Sequence, residues 1–327
     1  MNRYRLPAEW EPQSMVQLTW PHRDTDWAYM LDDIVDVYVQ MAREIAKREP
    51  LLIVIPNKDD LPQEVRTMEN VTVVECPTND TWARDHGFIT LVATAPEYVL
   101  KSSESLKSGA SCASPPSFLF MDFCFNGWGQ KFESTKDNAI NRHLWETIFS
   151  DNARQGFSYV DHNDFVLEGG SIESDGKGTI YTTRCCLLAP NRNQPLTEQE
   201  IEAKLKEYLH ADRIVWFDDQ PLPGDDTDGH IDTLARILPD GRLLRLPLPD
   251  PIYEDGEQLP ATYANYLIIN GAVLVPTYGQ PAHDQEAMRL IGEAFPEREI
   301  IGIDSRPIIR QHGSIHCCTM QYPAMEK

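Results

Sequence analysis

Three dipeptides that tolerate positive φ, each set between two short apolar or β-branched runs, commit this chain to a fold built on hairpins. Asp175-Gly176 separates Ser171–Ser174 from Thr179–Thr182. Asp240-Gly241 separates Leu234–Leu238 from Arg242–Leu246, and Asn270-Gly271 separates Tyr266–Ile269 from Ala272–Val275. Leu51–Ile55, Val71–Val74, Phe88–Val92 and Phe118–Phe125 read as further strands. A helix is predicted from about Asp26 to Arg48, because Trp27, Leu31, Ile34, Tyr38, Met41 and Ile45 recur at three- and four-residue steps. A second begins at Thr197, where Thr197 and Glu200 form a capping box. A third runs from about Asp284 to Phe295 and stops before Pro296. Hairpins interleaved with single helices give a mixed α/β pattern, not a parallel Rossmann alternation. No dinucleotide fingerprint or phosphate loop is present. Lys101–Pro116, rich in Ser, Gly and Ala, reads as an exposed loop, and no other linker interrupts the chain, so residues 1–327 are expected to form one domain.

Charge narrows the function. Fifty-one acidic residues stand against 29 Lys and Arg, a formal net charge of -22. That excludes the basic footprint of a nucleic-acid binder and favours a cationic ligand. No apolar run reaches the roughly 20 residues that span a bilayer. Met1–Glu11 has no apolar signal core, so the cytoplasm is the expected location. The seven cysteines include no Cys-x-x-Cys pair. Adjacent Cys185-Cys186 and Cys317-Cys318 suit neither a disulfide scaffold nor a zinc site.

Four segments place acids, His or Cys beside Gly or Trp in ways that packing does not require. Gly229-His230-Ile231-Asp232 runs into a predicted strand, where His230 and Asp232 would share a face and an acid–base site. Ile315-His316-Cys317-Cys318-Thr319 reads as a C-terminal strand, with one cysteine facing a cleft as a nucleophile and the other packed. Glu168-Gly169-Gly170 sets a carboxylate at a strand end beside glycines that admit close approach. Asp80-Thr-Trp-Ala-Arg-Asp85 gathers two acids, an Arg and a Trp. Each has a plainer reading: a surface His, two core cysteines, a tight turn, an Arg–Asp pair under an aromatic lid. Together, several buried carboxylates need a cation in compensation, and a planar guanidinium can bridge two of them. That points to attack of a thiolate on a guanidinium carbon.

At this point the sequence resembles a family, the agmatine deiminases and Porphyromonas-type peptidyl-arginine deiminases among the guanidino-group-modifying enzymes. The motifs fall in order: Pro7-Ala-Glu-Trp-Glu-Pro12, Leu18-Thr-Trp-Pro21, Trp82-Ala-Arg-Asp85, Glu168-Gly-Gly170, Asn191-Arg-Asn193, Gly229-His-Ile-Asp232, Tyr263-Ala-Asn265, Asn270-Gly271 and Ile315-His-Cys317. The resemblance implies a five-bladed α/β-propeller (pentein) of ββαβ units around a central site. It also implies hydrolysis of agmatine to N-carbamoylputrescine and ammonia, a step toward putrescine, with no cofactor and no metal. It assigns Cys317 as nucleophile, Asp85 and Asp232 as holders of the guanidinium, His230 as acid and then base, and Glu168 as orienter of His230. Trp82 would wall the pocket, with Asn265 and Arg84 also near the substrate. Gln311-His312-Gly313-Ser314 stands where members carry Gly-Gly-Gly-Asn, which bears on recognition of the substrate's far end. Deimination of free or peptidyl arginine, non-catalytic binding of cationic amines, and a metal-dependent hydrolase using His230, Asp232 and Glu168 stay open at this stage. So does the oligomeric state, a homodimer included.

Overall fold

A computed structural model describes residues 4–94, 116–150 and 156–324. The Lys101–Pro116 loop falls outside these residues except for Pro116. One pairing scheme recurs along the chain: two antiparallel strands, a helix, then a third strand parallel to the second. Ile172–Ser174 pairs antiparallel with Thr179–Thr183, the helix Glu198–Tyr208 follows, and Arg213–Phe217 returns parallel to Thr179–Thr183. Leu267–Ile269, Ala272–Thr277, the helix Pro281–Ala294 and Glu299–Asp304 repeat the scheme. So do Ile89–Ala93, Phe118–Cys124, the helix Ile140–Leu144 and Phe157–Val166. A fourth instance joins the chain's two ends. Thr319–Pro323 lies antiparallel to Gln13–Thr19, and Leu51–Ile55 follows in parallel after the helix Leu31–Ala46. Arg236–Ile237 and Leu243–Leu244 form a bare hairpin with no helix of their own. A parallel return needs a crossover of a dozen residues or so, and the helix supplies it.

The local sequence explains where these elements stop. Leu31–Ala46 buries Ile34, Val37, Tyr38, Met41, Ala42 and Ile45 on one stripe. They pack against Val16, Leu18, Leu51, Ile53 and Ile55 in one core cluster. The Thr197–Glu200 capping box forms as read. The helix expected from Asp284 begins earlier, at Pro281, because proline fits the first helical position, where its missing N–H has no intrahelical partner. All three turn dipeptides sit in hairpins, and Gly176, Gly241 and Gly271 each take positive φ.

Two strand expectations are corrected. Ile231–Thr233 is a single 3-10 turn, and the strand that follows is only Arg236–Ile237. Residues 315–318 form a turn, and the strand starts at Thr319. In both places local hydrogen bonds take over the backbone. Thr233 Oγ1 donates to the His230 carbonyl, and Thr319 Oγ1 donates to the carbonyls of Ile315 and His316. Thr197→Ala is expected to lower stability by about 1 kcal/mol through loss of the cap, read as a shifted urea midpoint with unchanged slope.

Candidate active site

Each pairing unit delivers one segment to a common centre, just ahead of its first strand. Asp85 precedes Ile89, Glu168 precedes Ile172, His230 and Asp232 precede Arg236, Asn265 precedes Leu267, and Cys317 precedes Thr319. All of these side chains are buried. The structure therefore brings together residues that are more than 200 positions apart.

Cys317 and Asp85 bound a cavity of about 150 Å³ whose wall also includes Trp82, Trp128, Phe132, Asp26, Asp80, Asp226, Gln311, His312 and Gly313. Cys317 Sγ lies 3.8 Å from Asp232 Oδ2. Its N–H donates to Asn265 Oδ1 at 3.2 Å, and its carbonyl accepts from the Arg84 N–H at 3.1 Å, which ties the nucleophile's turn to the Asp85 segment. Asp85 Oδ2 accepts from Trp128 Nε1 at 2.9 Å, and Oδ1 accepts from the Gly170 N–H at 3.1 Å. His230 Nδ1 is 3.6 Å from Asp85 Oδ1. His230, Asp232 and Glu168 are fully buried beside the wall, Asp232 against Cys317 Sγ. A Cβ on Gly170 would lie 2.6 Å from His230 Nδ1, 2.9 Å from Asp85 Oδ1 and 3.1 Å from Asp232 Oδ2. The glycine is therefore what lets three functional groups close on one point.

Several expected roles change with the geometry. Arg84 does not face the cavity. Its guanidinium turns away to Glu9, to Gln321 and to the His316 carbonyl. Asn265 touches the backbone of Cys317 and is not part of the cavity wall. Glu168 is bonded to Arg192 Nε at 3.0 and 3.4 Å, and it reaches His230 by charge, not by a hydrogen bond. Arg192 is in turn anchored on Asp228 at 2.6 Å and the Thr227 carbonyl at 2.7 Å. Among the described residues the atoms close enough to share a metal belong to Glu168, Cys186 and His230, so Asp232 is outside that group. Trp128, Arg192, His316 and Glu9 went unassigned in the sequence. Arg192, His316 and Glu9 stand inside quoted motifs, whereas Trp128 has no local signal. It sits in a run of left-handed residues, Gly127 to Gln130, that turns its indole into the cavity.

The sequence model of the Porphyromonas-type peptidyl-arginine deiminases matches residues 5–245 and 239–323. The chain belongs to this family. Among solved structures, a C. jejuni agmatine deiminase, a Cys→Ser variant with substrate bound, is 31% identical with a TM-score of 0.86, covering 98% of this chain and 96% of that one. A Porphyromonas gingivalis protein named "Putative Arginine Deiminase" is 41% identical with a TM-score of 0.81, covering 98% of each chain. The agmatine deiminase of Stutzerimonas stutzeri is 29% identical over 98% of this chain and 96% of its own length. Family membership makes the chain a hydrolase of C–N bonds other than peptide bonds.

For a deiminase the electrostatics are informative. Burial, with Asp232 and Asp85 alongside, pushes the Cys317 thiol well above the usual range. In the ligand-free protein Cys317 is therefore a thiol at neutral pH. Burial also raises Asp85, helped by Asp232 and Glu168 and opposed by His230, to about 6. Asp232 goes the other way: burial would raise it, but hydrogen bonding and charge from His316 hold it low. Burial would lower His230, yet Asp85, Cys186 and Glu168 raise it well above its ordinary value, which favours the imidazolium in the ligand-free protein. Among the described residues no helix is long and apolar enough to cross a membrane.

Two outcomes follow. Alkylation of Cys317 by iodoacetamide in ligand-free protein should climb about tenfold per pH unit through pH 9; a plateau at or below pH 7.5, followed on the Cys317 peptide by mass spectrometry, contradicts the raised thiol. Gly170→Ala should cut kcat/KM at least about a hundredfold, near 2.7 kcal/mol, by displacing His230 and Asp85; activity within threefold of the parent would show that the close approach is unimportant.

Proposed function

We propose that this deiminase hydrolyses agmatine. The supporting observation is the charge of the cavity wall: Asp26, Asp80, Asp85 and Asp226 line it, and no Arg or Lys does among the described residues. Agmatine carries a guanidinium at one end and an ammonium at the other, so both termini meet carboxylates. Free arginine would bring a carboxylate against Asp26, Asp80 and Asp226 without a cation to receive it. Trp82, Trp128 and Phe132 supply apolar walls for the alkyl chain and ring faces for the cations. Gln311-His312-Gly313 belongs to the same wall. Gln311 donates to the Asp26 carbonyl, His312 takes positive φ, and a Cβ at Gly313 would strike the Trp82 ring at 2.1 Å. The relatives named as agmatine deiminases favour the same substrate.

In this reading Asp85 and Asp232 hold the guanidinium. Its charge, about 4 Å from the sulfur at an effective dielectric near 20, contributes about 4 kcal/mol toward thiolate, or about 3 pKa units. With the guanidinium bound, the Cys317 thiol sheds its proton to solvent, the thiolate Sγ attacks the guanidinium carbon, and the C–N bond to one terminal nitrogen breaks. His230 gives its proton to that nitrogen, which leaves as ammonia. Neutral His230 then takes a proton from water as the oxygen attacks the S-alkylthiouronium carbon. The C–S bond breaks as the new hydroxyl loses its proton to the released ammonia, giving N-carbamoylputrescine, ammonium and the thiolate. Glu168, fixed by Arg192, keeps negative charge near His230. The recurring strand–strand–helix–strand scheme, with the bare hairpin as its shortest member, is best accounted for by five blades around this centre in one domain over residues 1–327.

Ammonia release from agmatine, free arginine and a blocked arginyl peptide tests the reading. Agmatine should lead in kcat/KM by a hundredfold or more, and Cys317→Ser should abolish turnover while ligand binding persists. Asp85→Ala should cost about 3 kcal/mol, at least a hundredfold in kcat/KM, by removing the charged partner of a desolvated guanidinium. Arginine turned over as fast as agmatine, or a fully folded protein inert to all three, would overturn the assignment.

A further inference from the structure

Asp232 is bonded on the side away from the cavity. His316 Nδ1–H donates to its Oδ2 at 2.7 Å, the same oxygen that stands 3.8 Å from Cys317 Sγ. The other ring nitrogen, Nε2–H, donates to Glu9 at 2.8 and 3.0 Å. Each ring nitrogen of His316 thus faces a carboxylate oxygen within hydrogen-bond distance. Glu9 is held in its turn by Arg84 at 3.0 Å and by Arg236, and Arg236 is also paired with Glu173. Arg236 Nη2 stands 3.4 Å from His316 Nε2. His316 is thus pinned at both ends within a cluster of three acids (buried Glu173 and Asp232, half-buried Glu9) and two buried arginines. The cluster borders a second cavity lined by Glu9, Arg84, Glu173 and Gln321, which Cys317 and Asp232 do not line.

We propose that His316 and Glu9 are positioning residues of the reaction: Glu9 fixes the imidazole, and the imidazole fixes the Asp232 carboxylate in the orientation that grips a planar cation beside Cys317. The proposal rests on the reading of Asp232 as a holder of the guanidinium. It deepens that reading by assigning the source of Asp232's orientation to a residue next to the nucleophile in sequence and to another at the far end of the chain. The titratable and charged groups facing Asp232 are His316, His230, Arg236, Asp85 and Cys317. Those facing His316 are Glu9, Asp232, Arg236 and Glu173. Of all these, only His316 makes a hydrogen bond under 3 Å to the gripping carboxylate. The structural alternative is that the cluster merely cements the core.

Two alkylating agents of nearly equal size separate these roles. 2-Chloroacetamidine is a planar cation that needs the carboxylate grip, and 2-chloroacetamide is its neutral counterpart. The ratio of their rates on Cys317, followed by mass spectrometry in the full-length protein, reports the grip. A general loosening of the core shifts both rates together. Asparagine at position 316 can keep a donor where Nδ1 stands, whereas glutamine reaches toward Glu9 and leaves Asp232 unbonded. His316→Asn should keep the amidine-to-amide ratio within threefold of the parent, and His316→Gln should lower it tenfold or more. Glu9→Gln should lower it about threefold by freeing the ring. In steady state His316→Gln should raise KM for agmatine more than it lowers kcat. Equal ratios in the parent, His316→Asn and His316→Gln would overturn the proposal, as would equal losses in the two His316 variants. A parent protein with no preference for the amidine would instead sink the guanidinium reading beneath it, so the two failures are told apart. Should His316→Gln not fold, Glu9→Gln decides alone, and an unchanged ratio there overturns the relay.

Discussion

Carboxylates buried at Asp85, Glu168 and Asp232 can stay charged only against nearby cations, since an isolated ion in a low-dielectric interior costs several kcal/mol even after relaxation. The molecule answers this separately at each acid. Glu168 lies on the Arg192 guanidinium. Asp232 lies on His316. Asp85 receives the N–H groups of Trp128 and Gly170 and has His230 at 3.6 Å, a weaker arrangement. The consequence is an ordered set of proton affinities: Asp232 is held low and Asp85 is raised to about 6, although both are fully buried in one site. Asp85 is thus the group whose ionisation gains most from a guanidinium placed beside it, and it is also the one on the cavity wall.

The fold makes this concentration of charge tolerable. Each pairing unit sends a short segment to the centre from the end of a strand or turn, so no single element carries more than two of the charged groups. The cost is absorbed locally. Trp128 adopts φ of 53°, a left-handed conformation that costs a non-glycine residue about 1–2 kcal/mol. Its indole N–H bond to Asp85 and its ring contacts with Phe125 and Phe132 offset that cost. Gly170 contributes by what it lacks, since any side chain there would occupy the space in which His230, Asp85 and Asp232 meet.

The hairpins, the main helices and the segments that meet at the centre were legible in the sequence because each rests on local chemistry. Turn dipeptides set the hairpins, three- and four-residue periodicity set the helices, and Cys, His and Asp with glycines marked the centre. What was not legible depended on partners far away in the chain. Arg84 sits between Trp82 and Asp85, and adjacency made it look like a substrate ligand. Its guanidinium is claimed instead by Glu9 and Gln321, which no local pattern reveals. The extended readings at His230–Asp232 and Ile315–Thr319 failed for a shared reason. Thr233 and Thr319 hydroxyls bond back to the preceding carbonyls and close turns. His230 and Asp232 nevertheless lie close together, both within reach of a Cβ on Gly170, through packing of a turn and not through strand alternation.

Substrate and nucleophile are coupled by the same electrostatics. In the ligand-free protein the Cys317 sulfur faces Asp232 at 3.8 Å and lies near Asp85, and both disfavour its ionisation. A cysteine so placed is protected from oxidants and stray electrophiles, because the thiolate is the reactive form. A guanidinium reverses the sign of the local field: it neutralises the two aspartates and presents positive charge to the sulfur. A neutral molecule of the same shape would leave the thiol protonated, and an anion would raise it further. Selectivity for a cation is therefore built into activation of the nucleophile as well as into binding. Asp26, Asp80 and Asp226 on the wall of the same cavity add to that preference for cations.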